Sequence, residues 1–521
     1  MSMEPSVTEI SAANLLTPAP DALALIPGEI ARRHLLLPLS LDSAKKQLTL
    51  AIADPHDVVA LDRIRILLRN EYTLVAQTAS AADIERALDR YYGSSLAIDG
   101  LLQEIAPIAA EPRAPQEMDS AHPVAKLVEM LIAEAVRHEA SDIHFEPEHD
   151  MLRIRLRVDG VLRQAHSLRR ELWSTLAVRL KVMSGMDIAE TRAPQDGHIS
   201  LDFDGRAMNF RVATHPTTHG ENMVLRILDR QKGIVPLDNL GLQDDELELL
   251  SRLIARPEGI VLATGPTGSG KTTTLYSILN RLNVESVNIM TLEDPVEYVI
   301  PLIRQTSVNE AARMDFSDGV RSILRQDPDI ILVGEIRDRA TAEMAFRAAM
   351  TGHQVYSTLH ANSALSAIPR LLDMGILPDV MAGNIIGVIA QRLVRALCPH
   401  CKKPYAANAH ERKMLGAAES SAADEKDTIS DDENVTLYRA TGCAHCHDSG
   451  YKGRLAVMEL LRMDDDLDDL IARRAGIREL RQAALANGFR PIARSAMRLA
   501  RQGCTTLAEI ARVVDVTHQM G

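Results

Sequence analysis

Residues 265–274 read Gly-Pro-Thr-Gly-Ser-Gly-Lys-Thr-Thr-Thr, and the spacing Gly265-x-x-x-x-Gly270-Lys271-Thr272 is the phosphate-loop pattern. The chemistry follows from the residue types. Glycines let backbone N–H groups close around an anion, and a helix opening at the lysine turns its positive end toward it. On this reading Gly265, Pro266, Thr267, Gly268, Ser269, Gly270, Lys271, Thr272 and Thr273 bind the phosphates of ATP. Lys271 reaches the β- and γ-phosphates, and the Thr272 hydroxyl holds Mg²⁺. A glycine-rich turn without a nucleotide would need neither the lysine nor the hydroxyl at these places.

Three further stretches supply groups that could act on a bound phosphate. In DIILVGEIRD (329–338) four apolar residues form a buried strand that runs out at Glu335. An acid at the C-terminal edge of a parallel strand faces the nucleotide crevice, where it can orient water for attack. TLEDPVEY (291–298) ends another strand in Glu293, Asp294 and Glu297, with Pro295 forcing a turn. Carboxylates gathered at a strand end suit water or magnesium, so Glu293 is a second candidate for activating water. In TGHQVYSTLHAN (351–362), His353 and His360 flank a predicted strand, and each is a candidate for sensing the nucleotide.

The cysteines suggest a separate chemistry. Cys398-Pro-His-Cys401 and Cys443-Ala-His-Cys446 are two CxxC pairs. In a chain kept in a reducing compartment that pattern points to tetrahedral Zn²⁺ rather than disulfides. Four thiolates close such a site without His400 or His445. Cys504 is left over and is expected to be a small packed residue.

These groups need elements to hold them. GIVLATG (259–265), VNIMTLE (287–293), DIILVGE (329–335) and QVYSTLH (354–360) read as short apolar strands with helical segments between them. That alternation predicts a parallel sheet covered by helices on both faces. Upstream, Val124, Leu127, Val128, Leu131 and Ala135 mark one face of an amphipathic helix. RIRLRVDGVL (153–162) alternates strictly, with Asp159-Gly160 as a hairpin turn and the arginines on a solvated face. LTLAIADP (48–55) and AADIERALDRYYG (81–93) read as a strand and a closing helix.

The expected organisation is a disordered tail over 1–25, a docking domain over 26–94 and a linker over 95–121. A second α+β domain follows over 122–234, then the ATP-binding core over 235–397. A zinc-binding insertion over 398–450 contains the acidic stretch AAESSAADEKDTISDDEN, read as a solvated loop. The remainder, 451–521, is expected to be helical.

Composition bounds the rest. Apolar residues make up 46% and charged residues 25%, which is globular rather than disordered. A net charge of −13 weighs against a nucleic-acid partner, which selects a basic face. No apolar run is long enough to span a bilayer, and the N-terminus has no secretory pattern. A cytoplasmic location is therefore expected.

The four nucleotide elements in this order, with the paired CxxC, resemble the secretion and pilus assembly ATPases. The likeness is strongest to the type II secretion traffic ATPase (the E component), with pilus extension ATPases next. SDIHFEP (141–147), RAPQDGHI (192–199), RVATHPTTHGENMVLRILD (211–229), RQDPD (325–329), AQRLVRALCPHC (390–401) and SGYKGRLAVMELL (449–461) carry it too. Residues 26–93 show no repeated leucine-rich pattern of the kind with which some pilus relatives bind a cyclic dinucleotide, which favours secretion. The chain departs from the family pattern at His198 and Ile386, where arginine is common.

The resemblance implies a homo-hexameric, RecA-like ATP hydrolase preceded by a PAS-like domain. Inner-membrane secretion components would dock on its N-terminal domain at the cytoplasmic face of the membrane, with acidic phospholipid among the partners. It also implies that arginines of the PAS-like domain approach a neighbouring subunit's nucleotide. Arg211 and Arg226 occupy the matching positions, and Arg192 is a further candidate.

Overall fold

In the computed structural model the chain divides into two compact units, residues 1–229 and 230–521. The structure describes residues 18–88, 122–229, 234–308, 315–419 and 435–515, apart from positions 24, 27, 43, 44, 55, 56, 70, 82, 86 and 204. The expected linker and most of the expected tail and acidic loop lie outside the described residues.

The first unit opens with a three-stranded sheet, β1 (Leu36–Asp42), β2 (Gln47–Ile52) and β3 (Thr73–Thr78). β1 pairs antiparallel with β2, and β2 pairs parallel with β3 across the helix Val58–Leu67. Folding starts earlier than the sequence reading placed it. A short helix, Pro20–Leu23, buries Ala22 beside Ile26, and the Ala19 N–H donates to the Leu39 carbonyl at 2.7 Å. The boundary drawn at residue 25 therefore falls inside the domain.

Residues 122–229 form a six-stranded antiparallel sheet. Its strands are β4 (Asp142–Pro147), β5 (Met151–Val158), β6 (Val161–Arg169), β7 (Gln195–Phe203), β8 (Arg206–Thr217) and β9 (Gly220–Asp229), in the order β6-β5-β4-β9-β8-β7. The expected amphipathic helix spans Pro123–Arg137 and buries Val124, Leu127, Val128, Leu131 and Ala135 against this sheet. Its N-terminus is capped by His122, whose ring nitrogen accepts from the Val124 N–H at 3.3 Å. Asp159 and Gly160 both take positive φ, which the two-residue hairpin turn requires. The arginine face of β5 is more structured than a solvated face. Arg155 bonds Glu146 at 2.6 and 2.8 Å, Arg157 lies 3.5 Å from Asp142, and Arg153 pairs with Glu148.

The second unit is built on a seven-stranded sheet: β10 (Gly259–Thr264), β11 (Ile289–Glu293), β12 (Arg304–Ser307), β13 (Ile330–Val333), β14 (Gln354–Leu359), β15 (Ile385–Leu397) and β18 (Tyr451–Arg462). Their order is β12-β11-β13-β14-β10-β15-β18, parallel except for the β15–β18 pair. Every residue of β10, β13 and β14 is buried, as strands covered on both faces must be. A small hairpin, β16 (Lys403–Ala406) with β17 (Thr436–Arg439), stands beside the cysteines. The α/β class expected from the strand–helix alternation is the one observed, with a PAS-like α+β domain and a small N-terminal domain ahead of the RecA-like core.

Three strands of this sheet went unread in the sequence, and one correction follows. Residues 451–462 are not helical: they form β18, which pairs along nearly the whole of β15. Helices begin only at Asp465–Ala472 and continue through Ile477–Ala486, Ile492–Arg501 and Leu507–Val513.

The last of these helices is tied to β15 by Glu509. Its fully buried carboxylate accepts from the Arg395 side chain at 2.7 and 3.0 Å, from the Arg395 N–H at 3.0 Å, and from Arg512 at 2.7 and 3.1 Å. Burial alone would raise its pKa, but the Arg512 and Arg395 donors outweigh that and hold it at about 2. A depressed carboxyl stabilises the fold above its unfolded pKa, and the contribution is lost as pH falls toward the folded value. The clamp should therefore weaken between about pH 4.5 and pH 2. The effect is worth at most about 3 kcal/mol, less what solvent screens at the half-exposed Arg512. Acid unfolding of the wild type beside Glu509→Gln tests this, since the variant should lose the pH-dependent part within that window.

Candidate nucleotide site and cysteine cluster

The parallel strands bring their C-terminal ends to one edge of the sheet. Thr264, Glu293, Val333 and Leu359 end β10, β11, β13 and β14. The phosphate loop, Glu335 and His360 therefore emerge side by side. The loop leads into the helix Lys271–Leu282, whose N-cap, Gly270, has φ +89° and no side-chain cap. Its first N–H groups are left for an anion. Gly265 is required by space as well as by its φ of +145°, because an added Cβ would lie 2.6 Å from the Gln391 carbonyl oxygen and 2.7 Å from Ser269 Oγ. The buried Ser269 Oγ has no hydrogen-bond partner. An uncapped helix end and an orphaned hydroxyl fit a phosphate group.

Lys271 Nζ donates to the carbonyls of Gly265 and Pro266 at 2.9 and 3.1 Å. Burial lowers its pKa, Glu335 opposes that, and Arg392 adds to it. Glu335 is mostly buried and pairs with Arg337, which also lies 3.8 Å from Asp294. His360 Nε2 stands 3.6 Å from Glu335 Oε2. Loop, acid and histidine thus share one pocket edge. The turn after Glu335 is fixed by the Ile336 N–H, which donates to the Thr358 carbonyl at 2.9 Å, and by Thr358 Oγ1, which donates to Gly334 at 2.8 Å. Thr264 Oγ1 ties the start of the loop to Ala361 through two bonds of 2.8 Å.

Two of the expected residues are differently placed. Glu293 is only 4% exposed, and both its oxygens are occupied. One takes the Tyr276 hydroxyl; the other accepts from Thr291 Oγ1 at 2.6 Å and Gln305 Nε2 at 3.2 Å. Burial, reinforced by Glu293, raises the Tyr276 pKa, so the phenol remains a donor. Here Glu293 locks β11 to the phosphate-loop helix with hydrogen bonds on both oxygens, whereas Glu297 on the following turn is half-buried. His353 precedes β14, at the opposite end of that strand from His360. Its ring nitrogen bonds the Ala348 carbonyl at 3.0 Å, at the end of the preceding helix.

Sequence reasoning passed over the two polar residues that β15 presses against the loop. Gln391 Nε2 donates to the Ser269 carbonyl at 2.6 Å, and Arg392 donates to the carbonyls of Gln391 and Asn362 at 2.9 and 2.8 Å. The available signal was a Gln-Arg pair interrupting the apolar run 385–397.

In the other unit, Arg211 and Arg226 lie directly opposite each other on β8 and β9. Both are about half exposed. Arg211 is 3.6 Å from Asp196, and Arg226 is 3.2 Å from Asp142.

The four cysteines converge. Cys398 directly follows β15, Cys446 shortly precedes β18, and all four Sγ atoms lie within 4.8 Å of one another. Three separations are 3.8 Å (Cys398–Cys443), 3.9 Å (Cys401–Cys446) and 3.7 Å (Cys443–Cys446). A tetrahedron with metal–sulfur bonds of about 2.3 Å has edges of about 3.8 Å. The set therefore fits a tetracysteine metal centre. The N–H groups of Cys443 and Gly450 point at Cys446 Sγ, at 3.3 and 3.2 Å. Burial pushes the Cys398 thiol up to about 12, whereas at Cys446 the N–H groups of Cys443 and Gly450 outweigh burial and hold the thiol at about 7. His400 and His445 pack against each other with tilted rings, centroids 4.2 Å apart, and are outside the cluster.

The model of the family described as "Type II/IV secretion system protein" matches residues 117–512. The chain belongs to this family. A second model, the MshEN domain, matches residues 12–98 and again starts ahead of residue 26. The chain is 45% identical over 437 residues to the type II secretion system protein E of Pseudomonas aeruginosa, covering 84% of this chain and 83% of that one. It is 40% identical over 500 residues to the type IV pilus assembly ATPase PilB of Myxococcus xanthus, covering 94% and 86%. Among solved structures it is similar to the pilus retraction motor PilT with bound ADP, at 27% identity and a TM-score of 0.50, covering 75% and 97%. The chain is a secretion/pilus-type ATPase, and its phosphate loop, Glu335 and His360 lie together at one edge of the sheet.

Proposed function

We propose that this chain hydrolyses ATP as a homo-hexamer to drive pseudopilus assembly in type II secretion. The convergence of Lys271, Glu335 and His360 at one sheet edge carries the hydrolytic part. The loop N–H groups and Lys271 bind and neutralise the phosphates. Thr272 would hold Mg²⁺, which lowers the charge on the phosphates when bound. Glu335, oriented by Arg337, takes the proton of the attacking water, and His360 beside it responds to the γ-phosphate. Glu293 acts by fixing the floor of the site.

Arg211 and Arg226 complete the site of a neighbouring subunit. Like charges directly opposite across an antiparallel pair cost stability. Keeping two there suits an anion brought by another chain.

The assembly would work at the cytoplasmic face of the inner membrane, with secretion components and acidic phospholipid meeting the N-terminal domain. Among the described residues no helix is long and apolar enough to cross a membrane. Pilus assembly is the second reading, supported by the 40% identity over 500 residues to a protein named as a pilus assembly ATPase. Co-purification decides between them. A secretion component captured by the full chain supports the first, and a pilus-assembly component in its place overturns it.

The cysteine cluster is assigned Zn²⁺. Metal analysis of protein purified without chelators should give one zinc per chain, and Cys443→Ser should lose it. Structural zinc contributes roughly 10–16 kcal/mol to folding in isolated peptides. Here β15 and β18 anchor the lobe, so its loss should expose residues 398–450 to proteolysis while nucleotide binding persists. Zinc-free native protein overturns the assignment.

A further inference from the structure

Arg392 is not accounted for by the reaction as described. It lies on β15, half-buried, with its guanidinium against the first glycine of the phosphate loop: a Cβ added to Gly265 would sit 3.2 Å from one of its terminal nitrogens. Its partners are two backbone carbonyls, Gln391 at 2.9 Å and Asn362 at 2.8 Å. Among the described residues no carboxylate lies within ion-pairing distance of it. Glu459 is the acid that acts on it electrostatically, but that buried carboxylate is held by the N–H groups of Ala364 at 2.6 Å and Ile492 at 2.8 Å.

A half-buried cation with only carbonyl partners is an unfavourable arrangement unless an anion joins it. Two cations converge here on one glycine, Lys271 on its carbonyl and Arg392 beside its Cα. Burial disfavours the charge of both, and Arg392 further disfavours that of Lys271. One of the carbonyls that Arg392 holds belongs to Asn362, two residues beyond His360, which faces Glu335. Arg392 is therefore tied both to the start of the phosphate loop and to the segment that follows His360.

We propose that Arg392 is a second phosphate-binding cation of the nucleotide site, supplied by the same chain, and that it favours a triphosphate over a diphosphate. This rests on reading the loop as an ATP site. The guanidinium is pre-positioned by Asn362 and Gln391, so contact with the terminal phosphate costs little reordering, and a diphosphate, lacking that group, leaves Arg392 on its carbonyls. The arrangement also ties the loop to β15, the strand that runs on to Cys398.

The test is equilibrium binding of fluorescent ATPγS and ADP, each with Mg²⁺, to the full-length wild type, Arg392→Gln and Arg392→Lys. Arg392→Gln should weaken the triphosphate roughly 10- to 100-fold, the size of a charge-assisted hydrogen bond. Its affinity for ADP should stay within about threefold of wild type. Arg392→Lys keeps the charge and should recover most of the preference for the triphosphate. A merely structural role would lower both affinities together. Equal losses for the two nucleotides, no loss at all, or a lysine variant no better than the glutamine one each overturn the proposal. If Arg392→Gln does not fold, the lysine variant decides alone, because loss of its triphosphate preference contradicts the assignment. A wild type that binds neither nucleotide overturns the ATP-site reading instead.

Discussion

Replacing Glu335 by glutamine is expected to lower kcat by roughly 10²–10⁴ while ATP remains bound. The substitution keeps the size of the side chain and a hydrogen-bonding group near Arg337 and His360, but an amide cannot accept the proton of an attacking water. Lys271→Ala should act differently. Removing the cation from between the Gly265 and Pro266 carbonyls and the phosphates should raise KM and lower kcat together. The Glu293 variant separates the two carboxylates. Glu293→Gln removes the charge that Tyr276, Thr291 and Gln305 surround, so it should loosen β11 against the phosphate-loop helix and lower the melting temperature. If Glu335→Gln turned over ATP at the wild-type rate, the water-activating role would have to pass to another acid.

The second large effect concerns Arg211 and Arg226. A phosphate loop neutralises ground-state charge, but more develops as the terminal phosphate is transferred. An arginine supplied from another subunit is worth roughly 10³–10⁵ in rate where NTPases use one. Both arginines are about half exposed, and their partners Asp196 and Asp142 lie 3.6 and 3.2 Å away. The Arg211 pair is exposed and contributes little to stability, and the buried Asp142 keeps Arg157 at 3.5 Å and the Ser141 hydroxyl as partners, so replacement by alanine should leave the fold intact. Arg211→Ala with Arg226→Ala should then be nearly inactive, as should Lys271→Ala. Mixing the two preparations places intact arginines beside intact phosphate loops. Supply between subunits predicts activity above the sum of the separate preparations once subunit exchange is established, for example by fluorescence transfer. Exchange without recovered activity would mean that the arginines act within their own domain.

The sites that stood out in the sequence were those with chemistry written in fixed spacing. The phosphate loop and the cysteine pairs need particular residue types at short separations, and the structure places each within one local element or one cluster. Glu335 was legible because an apolar strand ends at it. What escaped depends on contacts made across the sheet. β15 carries Gln391 and Arg392 inside an apolar run, so its period matches neither an alternating strand nor a helix. Those two residues are polar because they meet the phosphate loop, more than 100 positions earlier in the chain. β18 went unread within the expected C-terminal helical region; its second half, Val457–Leu461, is buried throughout and shows no alternation. Glu293 illustrates the converse. Its position at a strand end was read correctly, but its role depends on Tyr276, which is three residues outside the loop motif and gave no signal of its own.

The account stands on ATP being cleaved, since a nucleotide-gated scaffold would use the same loop without turnover. The direct measurement is phosphate release by the purified full-length wild type with ATP and Mg²⁺, beside the same protein with the magnesium chelated and beside Glu335→Gln. The account predicts steady release by the wild type, none without magnesium, and ATP retained uncleaved by the variant. A wild type that forms its assembly, binds ATP and releases no phosphate would contradict it.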